Sequence, residues 1–91
     1  MAKEDTIYEE LKLRSREGKL IFGADQTLKN IKKGKIKRVV LASNCPKELE
    51  EKIRYYSKIQ GFDIIKSEFD REELGKLLGK AFLVAVIGEL K

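Results

Sequence analysis

Short apolar runs alternate along the chain with longer segments in which apolar residues recur every three or four positions. The continuous run centred on Val39–Leu41 is typical of a strand covered on both faces, and Leu49, Ile53 and Tyr56 follow the spacing of one helix face. The predicted elements, in chain order, are a helix from Thr6 to about Gly18, a strand over 20–22, a helix over about 25–33, a strand over 36–42, a helix from Pro46 to about Gln60, a strand over 62–65, a short helix after Asp70 and a strand over 81–87.

This alternation predicts the fold class, an α/β protein whose four-stranded mixed sheet lies between helices in a three-layer α/β/α sandwich. With 91 residues, the chain is predicted to be a single domain over 1–91. Asp70 and Glu73 have the spacing of a capping box at the start of the last helix. Gly75 inside that helix costs about 1 kcal/mol relative to alanine, so we expect a packing or backbone reason for it.

The positive charge of the chain is concentrated in one segment. The net charge is +5, and the ten residues from Lys29 to Arg38 contain six cations and no acid, so the remainder is close to neutral. A localised basic segment is typical of a polyanion partner, most often a phosphate backbone. The charge pattern therefore favours nucleic-acid binding.

The residues that most enzymes need are missing or isolated. The chain has no histidine, the side chain that most often serves as a general base or metal ligand. Its one cysteine, Cys45, has no CxxC partner and cannot form an internal disulfide, and no apolar run approaches the ~18 residues of a membrane span. We therefore predict a cytoplasmic protein that is not an enzyme and that uses no cofactor, metal or membrane.

Three places carry features that suit binding. The turn at Gly23 opens a helix whose start attracts anions, and Gln26, Thr27, Lys29 and Lys33 follow it. The lysines of this helix also have a simpler explanation, because many lysine faces serve solubility alone. The turn and its helix are the first candidate site.

The second and third places are loops. Asn44 lies between a central strand and a helix, a position that often holds ligands in open α/β sheets, although it is equally explained as a helix cap. Phe82 follows Gly79 in an apolar segment, where an aromatic ring can stack on an unpaired base or belong to the core. Both alternatives remain open from the sequence.

The same places resemble a known family. The motifs are FGADQTLK over 22–29, LASNCP over 41–46, Tyr55-Tyr56, Glu73-Leu74-Gly75 and Gly79-Lys80-x-Phe82, in one order from about Leu11 to Ile87. Together they resemble the L30e family of archaeal and eukaryotic large-subunit ribosomal proteins, within the L7Ae superfamily of kink-turn RNA binders. The resemblance implies an α/β/α sandwich that recognises a kink-turn or related internal loop through sheared G·A pairs and a flipped base.

The resemblance also implies which residues face the RNA. Gly23, Gln26, Thr27 and Lys29 match the helix start, Asn44 matches the loop asparagine, and Phe82, Leu83 and Val84 match the loop that packs on an extruded base. Asp25 departs from the pattern, because relatives commonly carry a basic residue there, and we interpret it as an N-cap. Adding Lys33 and Arg38 from the basic segment, the expected RNA contacts are Gly23, Gln26, Thr27, Lys29, Lys33, Arg38, Asn44, Phe82, Leu83 and Val84.

We therefore predict a ribosomal protein of the large subunit that binds a kink-turn or related internal loop of ribosomal RNA and that is a monomer when free. One alternative is a core protein of a guide ribonucleoprotein or ribonuclease P particle, which uses the same surface. An alternative of another class is a protein-interaction module whose basic face meets an acidic partner.

Overall fold

The computed structural model describes residues 2–91, with side chains from residue 8 onward. Four helices alternate with four strands, and none of the helices in this range is long and apolar enough to cross a membrane. The elements are α1 (Ala2–Arg16), β1 (Leu20–Phe22), α2 (Ala24–Lys32), β2 (Ile36–Leu41), α3 (Lys47–Gln60), β3 (Asp63–Lys66), α4 (Arg71–Leu77) and β4 (Val86–Leu90).

The strands form one mixed sheet in the order β1-β4-β2-β3. β4 runs antiparallel to both of its neighbours, and β2 runs parallel to β3. As a result β1, β2 and β3 all point in one direction, and the helices that follow them, α2, α3 and α4, all begin at the same end. We call this end the carboxyl end of the sheet, and the opposite end, where β2 begins at Ile36, the distal end.

Two apolar clusters lie on opposite faces of the sheet. Tyr8 and Leu11 of α1 and Leu74 of α4 pack with alternate sheet residues on one face. Ile31 of α2 and Ile53 of α3 pack with the other set of sheet residues on the opposite face. The prediction of a three-layer α/β/α sandwich on a four-stranded mixed sheet is therefore confirmed.

Two predicted boundaries are wrong for physical reasons. The first helix already includes Ala2, so Thr6 lies inside it and does not begin it. The last strand begins at Val86 and not at Ala81, because Val84 N–H donates to the carbonyl of Arg71 (3.0 Å) while Phe82 and Leu83 are exposed.

The predicted capping box is confirmed, since Glu73 N–H donates to Asp70 Oδ1 at 2.8 Å and Asp70 N–H to Glu73 Oε1 at 3.0 Å.

A buried carboxylate fixes α1 to the distal half of the sheet. Glu89 of β4 is only 1% exposed and accepts a hydrogen bond from Arg38 Nε at 2.7 Å, while Arg38 also pairs with Glu10 of α1. Burial alone would lower the pKa of Arg38, but its bonds to Glu10 and Glu89 outweigh burial and raise it. The hydrogen bond and charge of Arg38 lower the pKa of Glu10. Arg38 thus neutralises a charge that has little access to water.

We expect Arg38→Met to destabilise the protein by about 2–3 kcal/mol, because removing one partner of a buried ion pair leaves the other uncompensated. The free energy of unfolding in urea measures the effect. Glu10→Gln is the control, since it removes only the exposed partner of the same arginine and should cost less than about 1 kcal/mol. Equally small losses of stability in both variants would mean that Arg14 and Lys37 suffice to neutralise Glu89 without Arg38. Their side-chain nitrogens lie 3.4 and 3.9 Å from Glu89 Oε2.

Candidate nucleic-acid interface

Two of the three helices that begin at the carboxyl end of the sheet have open N-termini. Neither α2, whose N-cap is Gly23, nor α3, whose N-cap is Pro46, has a side-chain cap. The first backbone N–H groups of a helix have no partner within the helix and carry the positive end of its dipole. The carboxyl end of the sheet therefore offers hydrogen-bond donors and positive potential from two helices.

Gly23 sets the start of α2. Its φ of 96° lies in the region that favours glycine, and its N–H donates to the carbonyl of Val86 at 3.0 Å. The N–H of Thr27 donates back to the carbonyl of Gly23, so the preceding N–H groups, those of residues 24–26, are left without a helical partner. Asp25 lies in the first turn and is not the N-cap, which corrects its interpretation from the sequence.

Asn44 connects the β2–α3 loop to α4. Its Oδ1 accepts a hydrogen bond from Arg71 N–H at 3.0 Å, so it satisfies a free donor of α4 and does not cap α3. The Asn44 side chain is nevertheless exposed, and its amide nitrogen has two further N–H donors. Asn44 is therefore both a structural link and an accessible donor.

The segment between α4 and β4 presents an apolar surface beside α2. Phe82 and Leu83 are 55% and 59% exposed. The ring of Phe82 lies edge-on to that of Phe22, with centroids 6.4 Å apart, and Lys80 Nζ lies 4.6 Å from the centroid of Phe22. Phe22 directly precedes Gly23, so the exposed ring of Phe82 stands next to the open start of α2.

Gly75 explains how this segment is held. A Cβ atom at this position would collide with the backbone carbonyl of Phe82, so only glycine allows the segment to pack this closely on α4. The bond from Val84 N–H to the carbonyl of Arg71 fixes the same segment one turn earlier. The sequence prediction that Gly75 has a packing or backbone reason is confirmed.

The structure brings together six of the ten residues expected to contact RNA. Gly23, Asn44 and Phe82 lie at the carboxyl end, joined by the contacts above. The accessible members of this group, which we call the carboxyl-end interface, are Gly23, Gln26, Asn44, Phe82 and Leu83 at that end and Lys29, which is exposed about 8 Å further along α2, in its last turn.

Two expected contacts are buried. Thr27 is fully buried because it shares the inward face of α2 with Ile31, four residues later. Because threonine is polar, the pattern of apolar residues does not identify position 27 as buried. The Thr27 hydroxyl has no hydrogen-bond partner among the described residues. Val84 is also fully buried, and it belongs to the apolar cluster that includes Leu11 and Leu74.

The other two, Lys33 and Arg38, are not at the carboxyl end. Lys33 follows the last residue of α2, and nine residues at ~1.5 Å each place it about 13 Å from the helix start. Arg38 lies in the distal half of β2 and is engaged by Glu10 and Glu89. The basic segment of the sequence therefore does not form one surface with Gly23, which corrects that expectation.

Arg71 and Lys80 join the interface although sequence reasoning did not select them. Arg71 is partly buried, and its Nε has no hydrogen-bond partner among the described residues. Lys80 was visible only as part of a motif, and its contact with Phe22 depends on the fold. The available signal for Arg71 was its position beside the cap residue Asp70.

The described side chains form no metal-binding cluster. Among residues 8–91, no group of three or more His, Cys, Asp or Glu side chains is placed to hold a metal ion. Burial, with a smaller contribution from Glu50, raises the pKa of the Cys45 thiol despite the opposing charges of Lys66 and Arg71. A thiol held in its neutral form is a poor nucleophile.

The class of protein follows from comparison with known families. The model of the ribosomal protein L7Ae/L30e/S12e/Gadd45 family matches residues 5–91. The chain belongs to this family.

Within the family, the chain is similar to large ribosomal subunit proteins eL30 from archaea. That of Sulfurisphaera tokodaii is 38% identical over 88 residues, which cover 97% of this chain and 83% of the relative. That of Sulfolobus acidocaldarius is 43% identical, covering 87% and 76%, and that of Methanocaldococcus jannaschii is 43% identical, covering 77% and 64%. The resemblance to the L30e type is confirmed, and so is the prediction that the chain is not an enzyme, because these relatives are ribosomal proteins.

Solved structures agree on the fold. A protein of unknown function from Bacillus halodurans has a TM-score of 0.81 at 25% identity, covering 89% of this chain and 80% of that protein. The 15.5kD RNA binding protein of Giardia lamblia also has a TM-score of 0.81, at 18% identity, covering 93% and 71%. The second likeness shows the shared fold alone.

We expect Gly75→Ala to destabilise the protein by about 1–3 kcal/mol, because the added methyl group must displace the carbonyl of Phe82. Helix propensity alone predicts the opposite sign, a gain of up to about 1 kcal/mol. Thermal unfolding decides between them, with Lys76→Ala at the adjacent exposed helix position as the control. A higher melting temperature for Gly75→Ala would contradict the close packing of the 79–84 segment.

Proposed function

We propose that this chain is a large-subunit ribosomal protein that binds a kink-turn or related internal loop of ribosomal RNA through the carboxyl-end interface. The observation that carries the proposal is an exposed aromatic ring, Phe82, held beside the open N-terminus of α2. The family and the eL30 relatives support the ribosomal part of the proposal. We further propose that the protein acts in the cytoplasm, where ribosomes work, and is a monomer when free.

Each group of the interface has a distinct role in this proposal. The N–H groups at the start of α2 and the side chain of Gln26 face base edges or backbone, and Lys29, exposed on the same helix, neutralises a phosphate. Asn44 supplies amide donors from the neighbouring loop. Phe82 and Leu83 pack on a base that has left its stack, an interaction worth ~1–3 kcal/mol in comparable sites.

This combination suits bent RNA better than a regular duplex. In an A-form helix the bases are stacked and the deep groove is too narrow for side chains to read. A ring such as Phe82 finds a partner only where a base is extruded, and Asn44 and Gln26 reach base edges only where the groove is opened. An internal loop that kinks the RNA meets both requirements at once.

Arg71 adds a charge that has no carboxylate within ion-pair distance among the described side chains. Its Nε is buried without a hydrogen-bond partner among the described residues, and buried polar groups normally have one. Its backbone joins the interface from both sides, because its N–H donates to Asn44 and its carbonyl accepts from Val84. We include Arg71 among the residues that bind an RNA phosphate or an acceptor on a base.

The alternatives differ in partner. A guide ribonucleoprotein or ribonuclease P particle would use the same interface, and the eL30 relatives favour the ribosome over it. A salt titration distinguishes RNA from an acidic protein partner. For RNA, the logarithm of the affinity should fall linearly with the logarithm of the salt concentration, with a slope of about −0.7 to −0.9 for each phosphate contact.

We expect the protein to prefer a kink-turn RNA over a duplex of equal length, and Phe82→Ala to remove most of that preference. The loss of one stacked base corresponds to a weakening of ~5- to 150-fold for the kink-turn RNA, with little change for the duplex. Fluorescence anisotropy with both RNAs at one salt concentration measures both affinities.

Tyr55→Ala is the matched control, because Tyr55 is an aromatic residue of α3 that is 61% exposed and lies outside the interface. It should leave the preference unchanged. The proposal fails if the wild-type chain binds both RNAs equally, and Phe82 loses its role if its variant behaves like that of Tyr55.

We also expect Arg71→Gln to weaken kink-turn binding by about tenfold or more, which is ~1.4 kcal/mol, while leaving the melting temperature nearly unchanged. The reason is that the side chain has no ion-pair partner to lose within the described part of the protein. Arg54→Gln serves as the control, since Arg54 is an exposed arginine already paired with Glu50 at 2.9 Å. A loss of stability equal to the loss of affinity would make Arg71 a structural residue.

A further inference from the structure

Four exposed lysines lie together at the distal end of the sheet. Lys33 and Lys35 flank the turn after α2, Lys37 lies near the start of β2, and Lys91 joins them because its N–H donates to the carbonyl of Lys35 at 3.0 Å. We call Lys33, Lys35, Lys37 and Lys91 the distal basic surface. It contains most of the basic segment that the carboxyl-end interface does not use.

Acidic side chains do not account for these lysines. Among the side chains described, none of the carboxylates lies within ion-pair distance of Lys33, Lys35 or Lys91, and Lys37 has only a 3.9 Å approach to Glu89, which Arg38 already neutralises. Arg54, Lys66 and Lys76, by contrast, each have a carboxylate partner. The positive potential of the distal basic surface is therefore left open to solvent.

Lys35, Lys37 and Lys91 are also too far away to assist the carboxyl-end interface. Lys33 is the nearest of the four lysines: it lies one helical turn beyond Lys29 and about 13 Å from the start of α2. The six residues of β2 separate the two ends, a distance of about 20 Å at ~3.3 Å per residue. Charges further apart than the Debye length, ~8 Å at physiological ionic strength, are largely screened in water. RNA held at the carboxyl end would gain little from them.

We propose that the distal basic surface binds the phosphate backbone of a second RNA segment, so that the protein bridges two segments. A pocket of about 390 Å³ opens there, lined in part by Gly34, Lys37, Gly61 and Lys91, and the two glycines leave the backbone open to close approach. Lysine is a common phosphate ligand and is depleted at protein–protein interfaces, which favours RNA over an acidic protein. The identity of the polyanion as RNA rests on the proposed function.

The experiment uses the full chain and two RNAs. The chain is first saturated with an unlabelled minimal kink-turn RNA, and a labelled plain duplex is then titrated in at low salt. We expect the duplex to bind the preformed complex, and Lys33→Gln/Lys35→Gln to weaken that second binding at least tenfold. The slope of log affinity against log salt should fall by about 0.7–0.9 for each lysine removed, while kink-turn affinity changes less than twofold.

Lys12→Gln/Arg16→Gln is the matched control, because it removes the same charge from exposed positions of α1, which packs on the opposite face of the sheet from α2 and α3, and should leave both affinities unchanged. Three results would overturn the proposal: competition between the duplex and the kink-turn RNA, equal effects of the two double variants, or tighter binding of poly-L-glutamate than of the duplex at the same salt. A lowered melting temperature with unchanged duplex binding would also overturn it, because the lysines would then serve the C-terminal end of the α2 dipole.

The two proposals fail in different ways. If the chain shows no preference for kink-turn RNA but its duplex binding is lost in Lys33→Gln/Lys35→Gln, the proposed function fails and the distal basic surface stands. If the kink-turn preference is present and no second duplex binds, only the bridging proposal fails.

Discussion

The shared direction of β1, β2 and β3 is the constraint on which the rest of this structure depends. It follows from the position of β4, which lies between β1 and β2 and runs antiparallel to both. Because each of the three strands leads directly into a helix, three helix N-termini are brought to one end of the sheet. The free helix N–H groups at that end are thereby a consequence of topology. In open α/β sheets, ligands commonly bind where the parallel strands finish.

That end of the sheet is held by an unbroken series of short contacts. Gly23 bonds to Val86, Ala42 N–H to the carbonyl of Ala85 at 2.9 Å, and Asn44 to Arg71, which in turn bonds to Val84. Asn44 lies in the loop between β2 and α3, and Val84 and Ala85 lie in the loop between α4 and β4. Loops are ordinarily the more mobile parts of a fold. Preorganising an interface lowers the entropy cost of binding, so the same hydrogen bonds that complete the fold also favour recognition.

The sequence was informative about local structure and less so about position in space. Local signals mark where the elements begin and end, such as the capping box of Asp70 and Glu73 and the glycines that follow the helices. Together with the alternation of apolar runs and helical patterns, they predict the layers of the fold. Thr27 is misplaced by the sequence pattern because a polar residue can occupy an inward helical position. Residues 81–83 are misplaced because an apolar run can face solvent when its backbone packs closely against Gly75. Lys33 and Arg38 were grouped with Gly23 because proximity along the chain hides the length of α2 and the direction of β2.

The separation of those charges clarifies how a small protein can carry two kinds of basic residue. Arg38 is close to the lysines in sequence, yet its guanidinium neutralises Glu89 inside the fold, and a side chain so engaged has little capacity for an external anion. Lys33 and Lys35 carry the same charge without an internal partner among the described side chains. What distinguishes Arg38 from Lys33 and Lys35 is therefore a buried carboxylate within reach of its guanidinium, and sequence position alone does not reveal it.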